Sequence, residues 1–101
     1  MKKVINGRLY DTDTAICLGC DGTCDRRDLF YVCEALFQKK NKEFFLYGEG
    51  GPASKYAVDT GSNSWSGGET ILPLTEAEAR KWAELHLTGD DYIEIFGEVQ
   101  E

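Results

Sequence analysis

Bulky apolar residues crowd the middle of the chain in two runs, Leu29 to Gln38 and Glu43 to Tyr47, split by the polar interval Lys39-Lys40-Asn41-Lys42. Phe, Tyr, Val and Leu at this density favour strands, and an interval of that length suits a hairpin loop, so the two runs predict an antiparallel pair. By the period of two, Leu29, Tyr31, Cys33, Ala35 and Phe37 share one face, while Phe30, Val32, Glu34, Leu36 and Gln38 share the other. Apolar residues on both faces predict a central strand.

Upstream, Lys2 to Thr14 reads as two short strands around Asn6-Gly7, the strongest two-residue hairpin signal. Asp11-Thr12-Asp13-Thr14 closes this hairpin or caps a turn; a calcium loop would need a glycine and a bidentate glutamate that do not follow at the required spacing. Gly48-Glu49-Gly50-Gly51-Pro52 ends the second central strand, and with Pro52-Ala53-Ser54 between Gly51 and Lys55 it fails as a phosphate-binding loop. Gly61 to Gly68 reads as a flexible loop, in which Trp65 is either tucked against the core or exposed as an anchor; the size of an indole favours the tucked placement.

Glu69 to Pro73 predicts a last strand. Thr75-Glu76-Ala77-Glu78 is a capping box with an acidic first turn, opening a helix from Glu76 to about Leu87. Ala79, Trp82, Ala83 and His86 form one stripe, widened by Leu85 and Leu87, with Trp82 as the main plug into the sheet. Thr88-Gly89-Asp90-Asp91 breaks this helix and starts a shorter one through Phe96, with Tyr92, Ile93 and Phe96 able to face the core before Gly97 stops it. The fold class that follows is α+β: an antiparallel sheet of about four strands, packed by a C-terminal helix and a short second helix, with a four-cysteine zinc loop.

At 101 residues the chain makes a single domain spanning residues 1–101. With 42% hydrophobic and 12% aromatic residues it can fill one core, which argues against global disorder. Eleven Lys and Arg against 18 Asp and Glu give a net charge of −7, which disfavours generic binding to phosphate backbones. No apolar run approaches the ~20 residues of a membrane span, and Met1-Lys2-Lys3 does not lead into a signal-peptide core, so a cytoplasmic protein is expected.

All four cysteines fall within seventeen residues as C-x2-C-x3-C-x8-C, at Cys17, Cys20, Cys24 and Cys33. The stretch from Cys17 to Gly22 resembles a zinc knuckle, in which a tight turn aims two thiolates at one ion, and two further thiolates would close a tetrahedron. Four thiolates leave no open position, so the expected cofactor is one structural Zn²⁺ in segment 17–33, tied to the sheet by Cys33. The same residues are open to other readings: free thiols, one or two disulfides, a redox C-x-x-C pair, or an iron–sulfur cluster whose common spacings they do not match.

His86 is the only histidine, and Cys-His chemistry would need the cysteines that zinc occupies; the acidic residues show no sign of converging in a pocket. An enzyme is not expected. Residues 76–101 hold eight acidic side chains against Arg80 and Lys81. Their face, including Glu76, Glu78, Glu84, Asp90, Asp91, Glu94 and Glu98, is either simply solvated or docks on a basic protein surface.

Several motifs, among them Ile5-Asn6-Gly7 with Tyr10-Asp11-Thr12, Phe45 to Pro52, Ser64-Trp65-Ser66-Gly67-Gly68-Glu69, Pro73 to Ala79 and Phe96-Gly97-Glu98, resemble small acidic proteins of phages and mobile elements of Gram-positive bacteria. The likeness spans most of the chain and none of its motifs is catalytic. Relatives in that family are among candidates for type II-A anti-CRISPR proteins, so the resemblance implies a protein that binds Cas9 and blocks its use of target DNA. The residues expected to bind such a partner are Asp90, Asp91, Glu94 and Glu98 for steering, with Trp65 or Tyr92 as a desolvated anchor. The competing expectation is a small zinc-binding adaptor or nucleic-acid module using Arg26, Arg27, Lys39, Lys40 and Lys42 as one patch from two neighbouring loops.

Overall fold

The computed structural model describes all residues, 1–101. The N-terminal hairpin pairs β1 (Lys2–Ile5) with β2 (Arg8–Asp11) around Asn6 and Gly7, whose φ angles of 52° and 77° are those of the mirror-image turn that matches strand twist. The main sheet contains β3 (Ile16–Gly22), β4 (Val32–Gln38), β5 (Phe44–Gly50) and β8 (Gly68–Leu74), in the order β3-β4-β5-β8 and antiparallel throughout. A separate small hairpin pairs β6 (Val58–Gly61) with β7 (Ser64–Ser66). Two helices follow, α1 (Glu76–His86) and α2 (Gly89–Phe96).

Both faces of the sheet are covered, as the two-faced apolar pattern of β4 requires. On one face Leu36, Phe44 and Leu46 pack with Ala79 and Trp82 of α1, supported by Phe96 of α2 and by Leu87. On the other, Phe37, Phe45 and Ile71 pack under Tyr10 of the N-terminal hairpin, so the molecule is layered hairpin, sheet, helices. Phe45 is fully buried between the Phe37 ring, stacked at 5.2 Å, and the Tyr10 ring, edge-on at 5.5 Å.

Pro73 is tolerated because β8 is an edge strand, where a missing N–H leaves no ladder gap. The capping box at the start of α1 forms as expected: Glu78 N donates to Thr75 Oγ1 (3.1 Å) and Thr75 N donates to Glu78 Oε1 (2.9 Å). Thr75→Ala is therefore expected to cost about 1 kcal/mol in a thermal or urea melt. A loss below a few tenths of a kcal/mol would show that the box contributes nothing to the fold.

One expectation finds no support here and another fails. Nothing in segment 17–33 supports the expected zinc loop, since its first part is β3, a strand paired with β4. Residues 61–68 are not a plain loop around a tucked indole: Trp65 stands 57% exposed on the β6–β7 hairpin, opposite Asp59. Ser62 and Asn63 form that hairpin's turn with φ of 46° and 61°, a left-handed pair that Asn63 favours.

Candidate functional site

The most constrained polar group is Glu34, on the helix-facing side of β4 and only 4% exposed. Trp82 Nε1 donates to Glu34 Oε1 at 3.2 Å, while Tyr56 Oη and Lys55 Nζ (2.8 Å) both reach Oε2. Gly48 lies directly opposite Glu34 on β5, and a side chain there would collide with the Tyr56 ring, so a glycine is what lets Tyr56 lie on the sheet and reach the carboxylate. Burial pushes the Glu34 carboxyl up, but the donors Lys55, Tyr56 and Trp82 outweigh it and hold it below the usual range. Burial and the adjoining carboxylate raise the Tyr56 phenol. Every donor here is satisfied within the fold, which marks the cluster as a structural tie between the sheet, α1 and the loop after β5.

A second network lies on the opposite face. Tyr47 Oη contacts Glu69 Oε2 at 2.5 Å and Glu49 Oε2 at 3.1 Å, and Arg26 donates to Glu49 at 3.0 Å. Burial first, then these two carboxylates, raise the Tyr47 phenol.

The four cysteines do not converge. Cys24 and Cys33 are joined in a disulfide, Cys17 and Cys20 are free and exposed, and no group of three or more His, Cys, Asp or Glu side chains is placed to hold a metal ion. The reason is register. Cys17 pairs with Phe37 and Gly22 pairs with Cys33, so Cys17 and Cys33 are separated by four residues of β4, about 13 Å at the usual strand rise. Thiolates sharing one tetrahedral zinc have sulfurs within about 4 Å of each other, a gap that two short side chains cannot close from these positions. Placed this way, the four cysteines give the expected four-thiolate zinc no support.

The expected partner-binding residues are also divided. Asp90, Asp91, Glu94 and Glu98 are exposed on and after α2, whose Phe96 packs at the Phe44 end of β5. Trp65 belongs to the hairpin leading into Gly68, which pairs with Gly50 at the other end of that strand, about 20 Å away. Tyr92 is half-buried, packs on Phe96 at 5.0 Å and accepts from Arg80 Nη1 at 3.4 Å.

What the structure adds around α2 is two grooves, one mainly apolar and one more polar. One groove of about 380 Å³ is lined by Ala83, Leu87, Tyr92, Ile93 and Val99 beside Glu84. A second, of about 400 Å³, runs between Asp91, Glu94 and Ile95 of α2 and Ile16, Cys17 and Leu18 of β3. Glu76 pairs with Arg80 and Glu78 closes its cap, but no ion pair reaches Glu84, Asp90, Asp91, Glu94 or Glu98.

The five cations expected to make one basic patch lie at opposite ends of β4. Arg26 and Arg27 precede Val32 and are held by Glu49 and Asp25; Lys39 follows Gln38, pairs with Glu43 and covers the Tyr10 ring. His86 Nδ1 lies 2.8 Å from Asp21 Oδ2, and its ring stacks on Trp82, tying α1 to β3. No helix is long and apolar enough to cross a membrane. Comparison with family models, with curated proteins and with solved structures finds no match.

Proposed function

We propose that this chain is a stoichiometric protein-binding inhibitor that docks its acidic α2 end onto a basic, nucleic-acid-handling surface, with Cas9 as the partner. The observation that carries the docking mode is the set of unpaired carboxylates Glu84, Asp90, Asp91, Glu94 and Glu98 on and around α2, of which Glu84 borders an apolar groove with Leu87, Ile93 and Val99 while Asp91 and Glu94 border a more polar one against β3. Acids without internal partners steer toward a basic surface, and the apolar groove beside them supplies the area a complex must desolvate. The choice of Cas9 rests on the resemblance of the motifs given above, and it suits a protein whose channels are built for nucleic acid. Inhibition requires occupancy of that surface and no turnover.

A Cas9 cleavage assay with the purified chain tests this. Inhibition is expected to saturate at a fixed ratio of chain to Cas9, to weaken as salt is raised, and to fall about tenfold or more when Glu94→Lys and Glu98→Lys are combined, with the melting curve unchanged. Trp65→Ala, in the hairpin that leads into the other end of the sheet from Phe96, is expected to leave inhibition intact. Equal inhibition by the double lysine variant, or none by the native chain well above the enzyme concentration, refutes the proposal.

A further inference from the structure

Cys17 and Cys20 are three residues apart, a separation that on a regular strand sends side chains to opposite faces. They do not diverge here, because the ladder slips between Cys17 and Gly19: Cys17 pairs with Phe37, Gly19 with Leu36, and Cys20 with Ala35. Leu18 is the extra residue of a β-bulge and packs toward the helices. Cys17, opposite Phe37, and Cys20, opposite Ala35, therefore share the face of the N-terminal hairpin. Cys33 is on that face too, two residues from Ala35. Cys20 is thus the diagonal cross-strand neighbour of Cys33, about 7–8 Å between α-carbons. Gly22, directly opposite Cys33, contributes no side chain.

From this we infer that the four cysteines form a thiol–disulfide exchange centre, in which the Cys17/Cys20 dithiol passes through Cys20 to the Cys24–Cys33 disulfide. The Cys20 thiolate attacks Sγ of Cys33, forming Cys20–Cys33 and releasing Cys24 as a thiolate. The Cys17 thiolate then attacks Sγ of Cys20, forming Cys17–Cys20 and releasing Cys33. Two electrons move from one pair to the other, and the two thiol protons end on Cys24 and Cys33 by way of solvent, so no outside oxidant is consumed. Disulfides span about 4.4–6.8 Å between α-carbons, so Cys20 must approach by about 1 Å. β3 can make that movement because it is an edge strand, paired on one side only. Cys17 cannot take Cys20's place, since it lies about 13 Å from Cys33. Completing the exchange removes the covalent tie across the segment between Cys24 and Cys33, which carries the exposed Leu29 and Phe30.

The test is non-reducing peptide mapping by mass spectrometry of the full chain, incubated folded and under inert gas without oxidant or reductant, then quenched in acid. The native chain is expected to yield both Cys24–Cys33 and Cys17–Cys20. Cys17→Ser should stall at a Cys20 mixed disulfide with Cys33 or Cys24, and Cys20→Ser should retain Cys24–Cys33 alone, with transfer lost. A native chain that keeps only Cys24–Cys33 overturns the inference. So do links from Cys17 to Cys24 or Cys33 as abundant as those from Cys20, which would show exchange through the unfolded chain. One tightly held zinc per chain on four thiolates would overturn the register on which it rests.

Discussion

Glu34→Ala is expected to destabilise the protein by about 3 kcal/mol, a large share of the 5–15 kcal/mol typical of a domain. The carboxylate is 4% exposed and is the acceptor for Trp82 Nε1, which lies in the core against the sheet. Without it the indole N–H is buried with no partner, at about 1–3 kcal/mol, the Tyr56 hydroxyl loses its acceptor, and a void opens under Trp82. Lys55 is 61% exposed and simply returns to water, so it adds little. For a chain of this length the melting temperature should fall by roughly 12–20 °C. Glu34→Gln, which keeps an acceptor oxygen, should lose clearly less.

The same group sets an acid limit. Because the folded Glu34 carboxyl is held below its ordinary value, its stabilisation is fully present above the unfolded pKa of about 4.3 and disappears as pH falls through the lower folded value. The gap in urea midpoint between the native chain and Glu34→Gln should therefore narrow from pH 7 to pH 3. A Glu34→Ala variant within about 0.5 kcal/mol of native at pH 7 would mean the cluster contributes nothing.

The elements legible in the sequence are those whose pattern is imposed by burial on one or both faces. β4 and β5 alternate between two apolar layers, and α1 carries both its cap and its Trp82 plug in the local sequence, so periodicity alone locates them. β3 is different. Ile16 to Gly22 holds two glycines, an aspartate and two cysteines, little of it buried, and it is a strand because β4 offers it a ladder, a tertiary fact. The zinc expectation finds no support for the same reason: spacing counts residues along the chain, whereas the bulge at Leu18 and the pairing of Gly22 with Cys33 decide where sulfurs lie. β6 and β7 are three or four residues long, with every residue exposed and no hydrophobic period to detect. Glu34 did leave a signal, since an acidic residue between Val32 and Leu36 on the face of a central strand must find donors. Its partners Tyr56 and Trp82, 22 and 48 residues away, could not be named from local pattern.

Phe45→Ala is expected to cost about 4 kcal/mol and to release the N-terminal hairpin from the sheet. The Phe45 ring is fully buried and is the one side chain that both stacks on Phe37 and receives the edge of Tyr10, so its loss leaves a cavity at the junction of the two layers. The hairpin's other holds are weaker: Met1 and Ile5 pack at the edge of this core, Lys39 lies over the Tyr10 ring, Arg8 pairs with Glu43 at 2.7 Å in an exposed position, and Val4 and Leu9 face solvent. A two-stranded hairpin is marginal on its own, so undocking should melt it while β4, β5 and α1 remain joined through the separate core around Leu36, Leu46 and Trp82. Amide hydrogen exchange reads this directly: protection in Lys2–Asp11 should collapse by far more than in Val32–Gln38. Val4→Ala, 66% exposed, should change stability by less than about 0.5 kcal/mol and leave the exchange pattern unaltered. Uniform loss of protection across hairpin and sheet in Phe45→Ala would instead mean that the two cores on either side of the sheet unfold as one unit.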